Sequence, residues 1–135
     1  MKKITLGIIG LGLFFQKTHV PVLTAAKDKF TVEGVFTSDI RKFRGVKKYF
    51  PSAWPYATVD ALLADRSIDA VVACVPIPEH YRIACRVIRA RKPFLLEKPM
   101  APNLEQAAKI IRLARSGRVP MMVAESFRYF QHFRD

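Results

Sequence analysis

The apolar run Ile4 to Ile9 breaks without transition into Gly10-Leu11-Gly12. A stretch that is apolar almost throughout, rather than at alternate residues, is the pattern of a strand covered on both faces. Glycines directly after such a strand permit a tight turn and leave main-chain N–H groups bare. The helix expected next aims the positive end of its dipole at the same spot. Together these make a seat for a diphosphate, the element around which dinucleotide-binding folds are built.

Other readings of the same residues fail. Lys2-Lys3 ahead of an apolar stretch has the outline of a secretory signal, but no small-residue cleavage site follows and Gln16-Lys17-Thr18-His19 interrupts the run. The stretch is also too short to span a bilayer. The net charge of +12 raises nucleic acid as a partner. Yet the basic residues are spread over several elements, and Arg82, Arg86 and Arg89 follow the spacing of one solvated helix face. Aromatic residues are not interleaved with them as on base-stacking surfaces. An anionic small ligand accounts for part of the charge, and no nucleic-acid or membrane partner is expected. The two cysteines, Cys74 and Cys85, lie in apolar segments and fit buried thiols in a reducing cytoplasm.

Strand and helix patterns alternate along the 135 residues, which suit a single core. Strands are expected at Ile4–Ile9, Phe30–Phe36, Ile68–Val75, Phe94–Glu97 and Pro120–Ala124. The first helix starts at Leu13 and, with Pro21 removing a donor, is expected to end or kink near Val20 rather than reach Ala26. Ser38 or Asp39 caps a helix to about Tyr49, Thr58 caps Val59–Ala64, and Pro78 opens a helix to about Ala90. Asn103 caps a further helix that Gly117 ends, and 51–55 reads as a loop. Strands separated by helices predict an α/β fold with a doubly wound parallel sheet and right-handed crossovers. Ligands then bind beyond the carboxyl ends of the strands.

The candidate site residues fall at those ends. Gly10 and Gly12, with Leu13 and Phe14 opening the helix, are placed against the diphosphate. A third glycine of the Gly-x-Gly-x-x-Gly fingerprint would fall at position 15, where Phe15 must push the helix out or turn away. The second strand ends in Thr37 and Ser38 instead of the acidic residue that binds the ribose of NAD, and Arg41 and Lys42 follow. Small hydroxyls with cations suit a 2′-phosphate, so NADP is favoured; the alternative has Asp39 reach the ribose of NAD, or serve as a plain cap. Pro76 and His80 follow the third of the long strands. Lys98, between Glu97 and Pro99, can hydrogen-bond a substrate hydroxyl or help move its proton, with Glu97 orienting it and a cis bond open to Pro99. His19 and His132 have no partner at metal-ligand spacing and the cysteines form no CxxC pair, so no metal is expected.

The segments Gly7 to Gly12, Pro76-Ile77-Pro78-Glu79-His80, Glu97-Lys98-Pro99 and Ala124 to Tyr129 occur in an order that resembles the amino-terminal half of the glucose–fructose oxidoreductase/inositol dehydrogenase/MocA family. The resemblance implies a Rossmann domain (residues 1–124) holding NAD(P), with residues 125–135 starting a second α/β domain that carries the substrate. It implies hydride transfer at a hydroxyl- or carbonyl-bearing carbon of a sugar, cyclitol or related diol. By position, Lys98 is the catalytic residue beside the nicotinamide, Pro76 and His80 lie near the nicotinamide half, and Arg128 lies in the crossing to the second domain. Phe15 and Ile77 depart from the family, which favours a small residue and an asparagine there.

The chain stops at Asp135, about where that second domain begins, so most of the substrate pocket and the usual homo-oligomer interface are expected to be missing from it. Phe127, Phe130 and Phe133 are then expected to lack covering partners. The alternative to a cofactor domain of an oxidoreductase is a stand-alone, non-catalytic dinucleotide-binding or regulatory module.

Overall fold

The computed structural model describes residues 2–130; His132 and Phe133 lie outside the described residues. Strands β1 (Ile4–Ile9), β2 (Phe30–Phe36), β3 (Trp54–Pro55), β4 (Ala70–Ala73), β5 (Phe94–Leu96) and β6 (Met121–Val123) pair in parallel throughout. Their order is β3-β2-β1-β4-β5-β6. The chain starts at the centre, winds outward through β2 and β3, then returns to the other side of β1 as β4. This is the doubly wound Rossmann topology, and its reversal point lies between β1 and β4.

Successive strand residues face opposite sides of the sheet, and the core divides accordingly. Leu6 and Ile8 pack with Phe15, Val35, Val46 and Phe50 on one face. Ile9 packs with Leu62, Val87, Leu96 and Ile110 on the other. The first helix, α1 (residues 13–25), and α2 (Ile40–Lys47) cover the first face. Helices α3 (Val59–Ala64), α4 (His80–Arg89) and α5 (Leu104–Gly117) cover the second.

Cap chemistry fixes where these helices begin. Asp39 accepts from the Arg41 N–H at 3.1 Å, Thr58 from Ala61 at 3.0 Å and Asn103 from Gln106 at 2.9 Å. Of Ser38 and Asp39, it is therefore Asp39 that caps α2.

The first helix does not end near Val20. It runs over residues 13–25, with a π-helical turn at Phe15–His19 leading into an α-helical part at Val20–Ala25. The Val20 N–H reaches back to the Phe15 carbonyl, a five-residue step placed immediately before Pro21. The wider turn absorbs the donor that proline lacks. The expected loop at 51–55 contributes the short edge strand β3, and α5 ends with left-handed Arg118 beyond Gly117.

Candidate functional site

At the end of β1, Gly10 adopts φ +96°, a conformation that L side chains rarely adopt. Its N–H bonds the Phe36 carbonyl at 2.8 Å, and the Cys74 N–H bonds the Ile9 carbonyl at 2.8 Å. The ends of β1, β2 and β4 thus meet main chain to main chain. Gly12 follows at the helix start, and a Cβ there would meet nothing within 4 Å. The carbonyl of Gly12 accepts from Gln16 at 3.1 Å, so the first turn of the helix starts here. The N–H groups of Leu13 and Phe14 have no earlier turn to bond to. Both side chains are exposed. Phe15 turns the opposite way and is fully buried in the core, leaving the space in front of Gly12 open.

At the end of β2, Thr37 and Ser38 face the same space, joined by Lys42 from α2. Arg41 does not line it. Its guanidinium grips the Asp39 carboxylate at 2.9 and 3.0 Å and is otherwise exposed. That partner holds the Asp39 carboxyl below its ordinary pKa, the hydrogen bond from Arg41 being the main cause. Asp39 is accordingly occupied as cap and ion-pair partner.

Beyond β4, Pro76 and Ile77 are exposed along the rim while His80, at the start of α4, is only 1% exposed. Its Nδ1 lies 2.6 Å from the Pro99 carbonyl and its Nε2 2.9 Å from that of Val75. Both partners only accept, so the ring nitrogen that carries a proton is the one that donates. His80 ties the β4 end to the loop after β5, where the Lys98–Pro99 bond is cis.

That loop carries Glu97 and Lys98. Glu97 is 7% exposed, whereas Lys98 is exposed at the rim. One Glu97 oxygen accepts from His19 Nε2 at 2.6 Å and the other from the Lys98 backbone N–H at 3.2 Å. Glu97 thus holds the Lys98 peptide, not its ammonium group. His19, on the first helix, is a site residue that metal-ligand spacing does not reveal; its one sequence signal is the four-residue spacing from Phe15.

These ends enclose one cleft of about 610 Å³, bordered by Gly10, Gly12, Leu13, Phe14, Thr37, Ser38, Lys42, Pro76, His80, Glu97 and Lys98. Such a volume takes a nucleotide-sized ligand. Of the charged residues along it, Arg82 is paired with Glu79, and the Glu97 carboxylate is turned to hydrogen bonds with His19 and the Lys98 peptide. Lys42 and Lys98 are left to make the cleft attractive to an anion. Cys74, on its floor, is pushed up to about 11 by burial above all and by the Glu97 carboxylate, so it stays a thiol. Among the described residues no group of three or more His, Cys, Asp or Glu side chains is placed to hold a metal ion, and no helix is long and apolar enough to cross a membrane.

A family model described as "Oxidoreductase family, NAD-binding Rossmann fold" matches residues 4–125. The Saccharomyces cerevisiae protein YMR315W is 34% identical over 131 residues, covering 96% of this chain and 38% of that protein. Inositol 2-dehydrogenase 2 of Saccharopolyspora erythraea is 29% identical over 125 residues, covering 93% and 37%. The crystal structure of KijD10, a 3-ketoreductase from Actinomadura kijaniata in complex with NADP and TDP-benzene, superposes with a TM-score of 0.87 at 26% identity. It covers 97% of this chain and 40% of that one. The chain thus spans well under half the length of these relatives.

Proposed function

This chain belongs to the glucose–fructose oxidoreductase/inositol dehydrogenase/MocA family as its NAD-binding Rossmann domain, and on that premise we propose that the cleft is specific for NADP and serves hydride transfer at a sugar, cyclitol or related diol. A second domain would bring that substrate. The observation that carries this reading is the convergence of four strand ends on the β1/β4 reversal, with the space before Gly12 open.

The N–H groups of Gly12, Leu13 and Phe14 hold the diphosphate, with the Gly10 turn keeping the main chain out of its way. Thr37, Ser38 and Lys42 take the 2′-phosphate; Arg41 joins them only by leaving Asp39. Asp39 does not line the cleft, being engaged by its own helix and by Arg41. Pro76 and His80 frame the nicotinamide half. When bound, the nicotinamide supplies or accepts the hydride. Lys98 hydrogen-bonds the reacting oxygen and takes or returns its proton as that oxygen passes between hydroxyl and carbonyl. The ketoreductase whose structure is similar holds NADP, which supports the choice of coenzyme.

We place the domain boundary after Ala124, whose N–H makes a bond of 2.8 Å to Leu96 at the end of the sheet. The turn Ser126–Tyr129 that follows is exposed and belongs with the substrate domain. Calorimetric titration with NADPH and NADH side by side tests the reading. Binding of NADPH about tenfold tighter, the equivalent of one charge-assisted contact, is expected. Equal affinities would overturn the phosphate assignment, and no binding of either would overturn the coenzyme site.

A further inference from the structure

The first helix and the Lys98 loop are fastened to each other, and we propose that His19 is a positioning residue for Lys98, acting through the Glu97 carboxylate. This rests on the reading of Lys98 as the residue at the reacting oxygen.

A buried carboxylate requires partners, and Glu97 takes them from two separate elements. On one side His19 Nε2 donates to it at 2.6 Å. On the other it accepts the Lys98 backbone N–H at 3.2 Å, while the Glu97 N–H is itself anchored to the Ala73 carbonyl at 3.1 Å. The carboxylate therefore links the helix whose amino end faces the diphosphate position with the peptide from which the Lys98 side chain springs. It sets the spacing between the two.

His19 is fixed in turn. Its ring stacks on Phe15, with centroids 5.6 Å apart and planes within 15°. Phe14 meets its edge at 6.2 Å. Phe15 stands where the fingerprint has its third glycine, and this explains what the larger residue does there. It turns into the core and becomes the platform that aims the imidazole at Glu97. The π-helical turn Phe15–His19 brings both residues to the same side of the helix.

The test uses the 135-residue chain and reads solvent exchange of the Lys98 amide by NMR, together with the emission of bound NADPH. In His19→Ala the Lys98 amide should exchange roughly tenfold faster, as expected when the acceptor of a hydrogen bond loses its anchor. The Glu97 amide, bonded to Ala73, should not change. The emission of bound NADPH should shift while its affinity stays within about threefold, because the diphosphate contacts lie elsewhere. His19→Gln keeps a donor able to reach the same carboxylate and should restore both signals. If His19→Ala does not fold, His19→Met, which fills the volume without a donor, takes its place, and the same changes are expected of it. An unchanged Lys98 amide in the donorless variant, or His19→Gln behaving like it, overturns the proposal. Failure of the unaltered chain to bind NADPH would instead strike the coenzyme reading, and the exchange result in the free chain would still decide the role of His19.

Discussion

A Cβ on Gly10 would stand 2.1 Å from the Cys74 carbonyl oxygen. The sheet's reversal point thus leaves no room for any side chain, and the backbone there also has positive φ. Gly12, two residues on, is constrained by nothing in the protein, since its Cβ would enter open cleft. The two glycines therefore fail differently. Gly10→Ala should destabilise the chain by about 3 kcal/mol or more, because strain and overlap with main chain add. Gly12→Ala should leave stability within about 1 kcal/mol yet weaken NADPH binding at least tenfold or so, as the methyl takes the diphosphate's place. Urea unfolding and calorimetric titration separate these. A destabilised Gly12→Ala with intact affinity would refute the assignment.

The neighbouring cations Arg41 and Lys42 should also part company. Lys42 faces the cleft, while Arg41 is held by Asp39. Lys42→Ala should weaken NADPH by about tenfold and leave NADH unaffected, the signature of a lost phosphate contact. Arg41→Ala should change NADPH affinity less than about threefold, in keeping with a side chain already committed elsewhere. A larger effect at Arg41 than at Lys42 would mean that Arg41 abandons Asp39 on binding and is the principal reader of the phosphate.

How far the sequence anticipates this site depends on how local each signal is. The caps Asp39, Thr58 and Asn103 bond main chain within three residues, so their chemistry is legible in a short window. Strand β1 is legible because burial on both faces leaves a nearly continuous apolar run, whereas β2 carries Thr31, Glu33 and Gly34 within its run. Convergence of Gly12, Ser38, Pro76 and Lys98 follows from strand and helix alternation alone, because parallel strands put all their carboxyl ends on one edge. What is hidden is phase and distance. Whether Arg41 or Lys42 faces the cleft depends on the rotation of α2 about its axis, which the Asp39 cap decides. His19 and Glu97 lie 78 residues apart, and nothing near either one announces the other. Strand β3, with only Trp54 and Pro55, is too short to show a period.

Tyr56 and Asp65 give the fold a pH dependence at both extremes. The phenol donates to the Asp65 carboxylate, which also accepts from Ser67. Those bonds hold the Asp65 carboxyl down at about 2, and the same carboxylate pushes the Tyr56 phenol up to about 12. For Asp65, the folded value is depressed. Its contribution is present above the unfolded value near 3.8 and is lost as pH falls toward about 2. For Tyr56, the folded value is raised. Its contribution is complete below the unfolded value near 10.0 and is lost as pH rises through about 12. Tyr56→Phe should therefore be less stable than the parent at neutral pH, with the gap closing below pH 3.8 and above pH 10.0. Urea midpoints across pH give the comparison, and a gap that does not vary with pH would exclude this pair as its source.

Two arginines occupy positions that favour glycine. Arg91 and Arg118 follow α4 and α5 with φ of 56° and 52°. At each end the N–H of the left-handed residue bonds three residues back, to Ile88 or Arg115. The next N–H bonds five back, from Lys92 to Val87 and from Val119 to Ala114. This paired pattern is a Schellman closure, in which a Cβ is unfavourable at the left-handed residue. Removing it relieves about 1 kcal/mol of backbone strain per site, offset in part by the greater freedom glycine gives the unfolded chain. Arg91→Gly and Arg118→Gly should each stabilise by about 0.5 kcal/mol, and since the two closures share no hydrogen bond their effects should add. Arg118→Ala, which keeps the Cβ, should gain nothing. Equal stabilisation by Ala and Gly at position 118 would show that relief of like-charge repulsion in a chain of net charge +12, rather than relieved strain, was responsible.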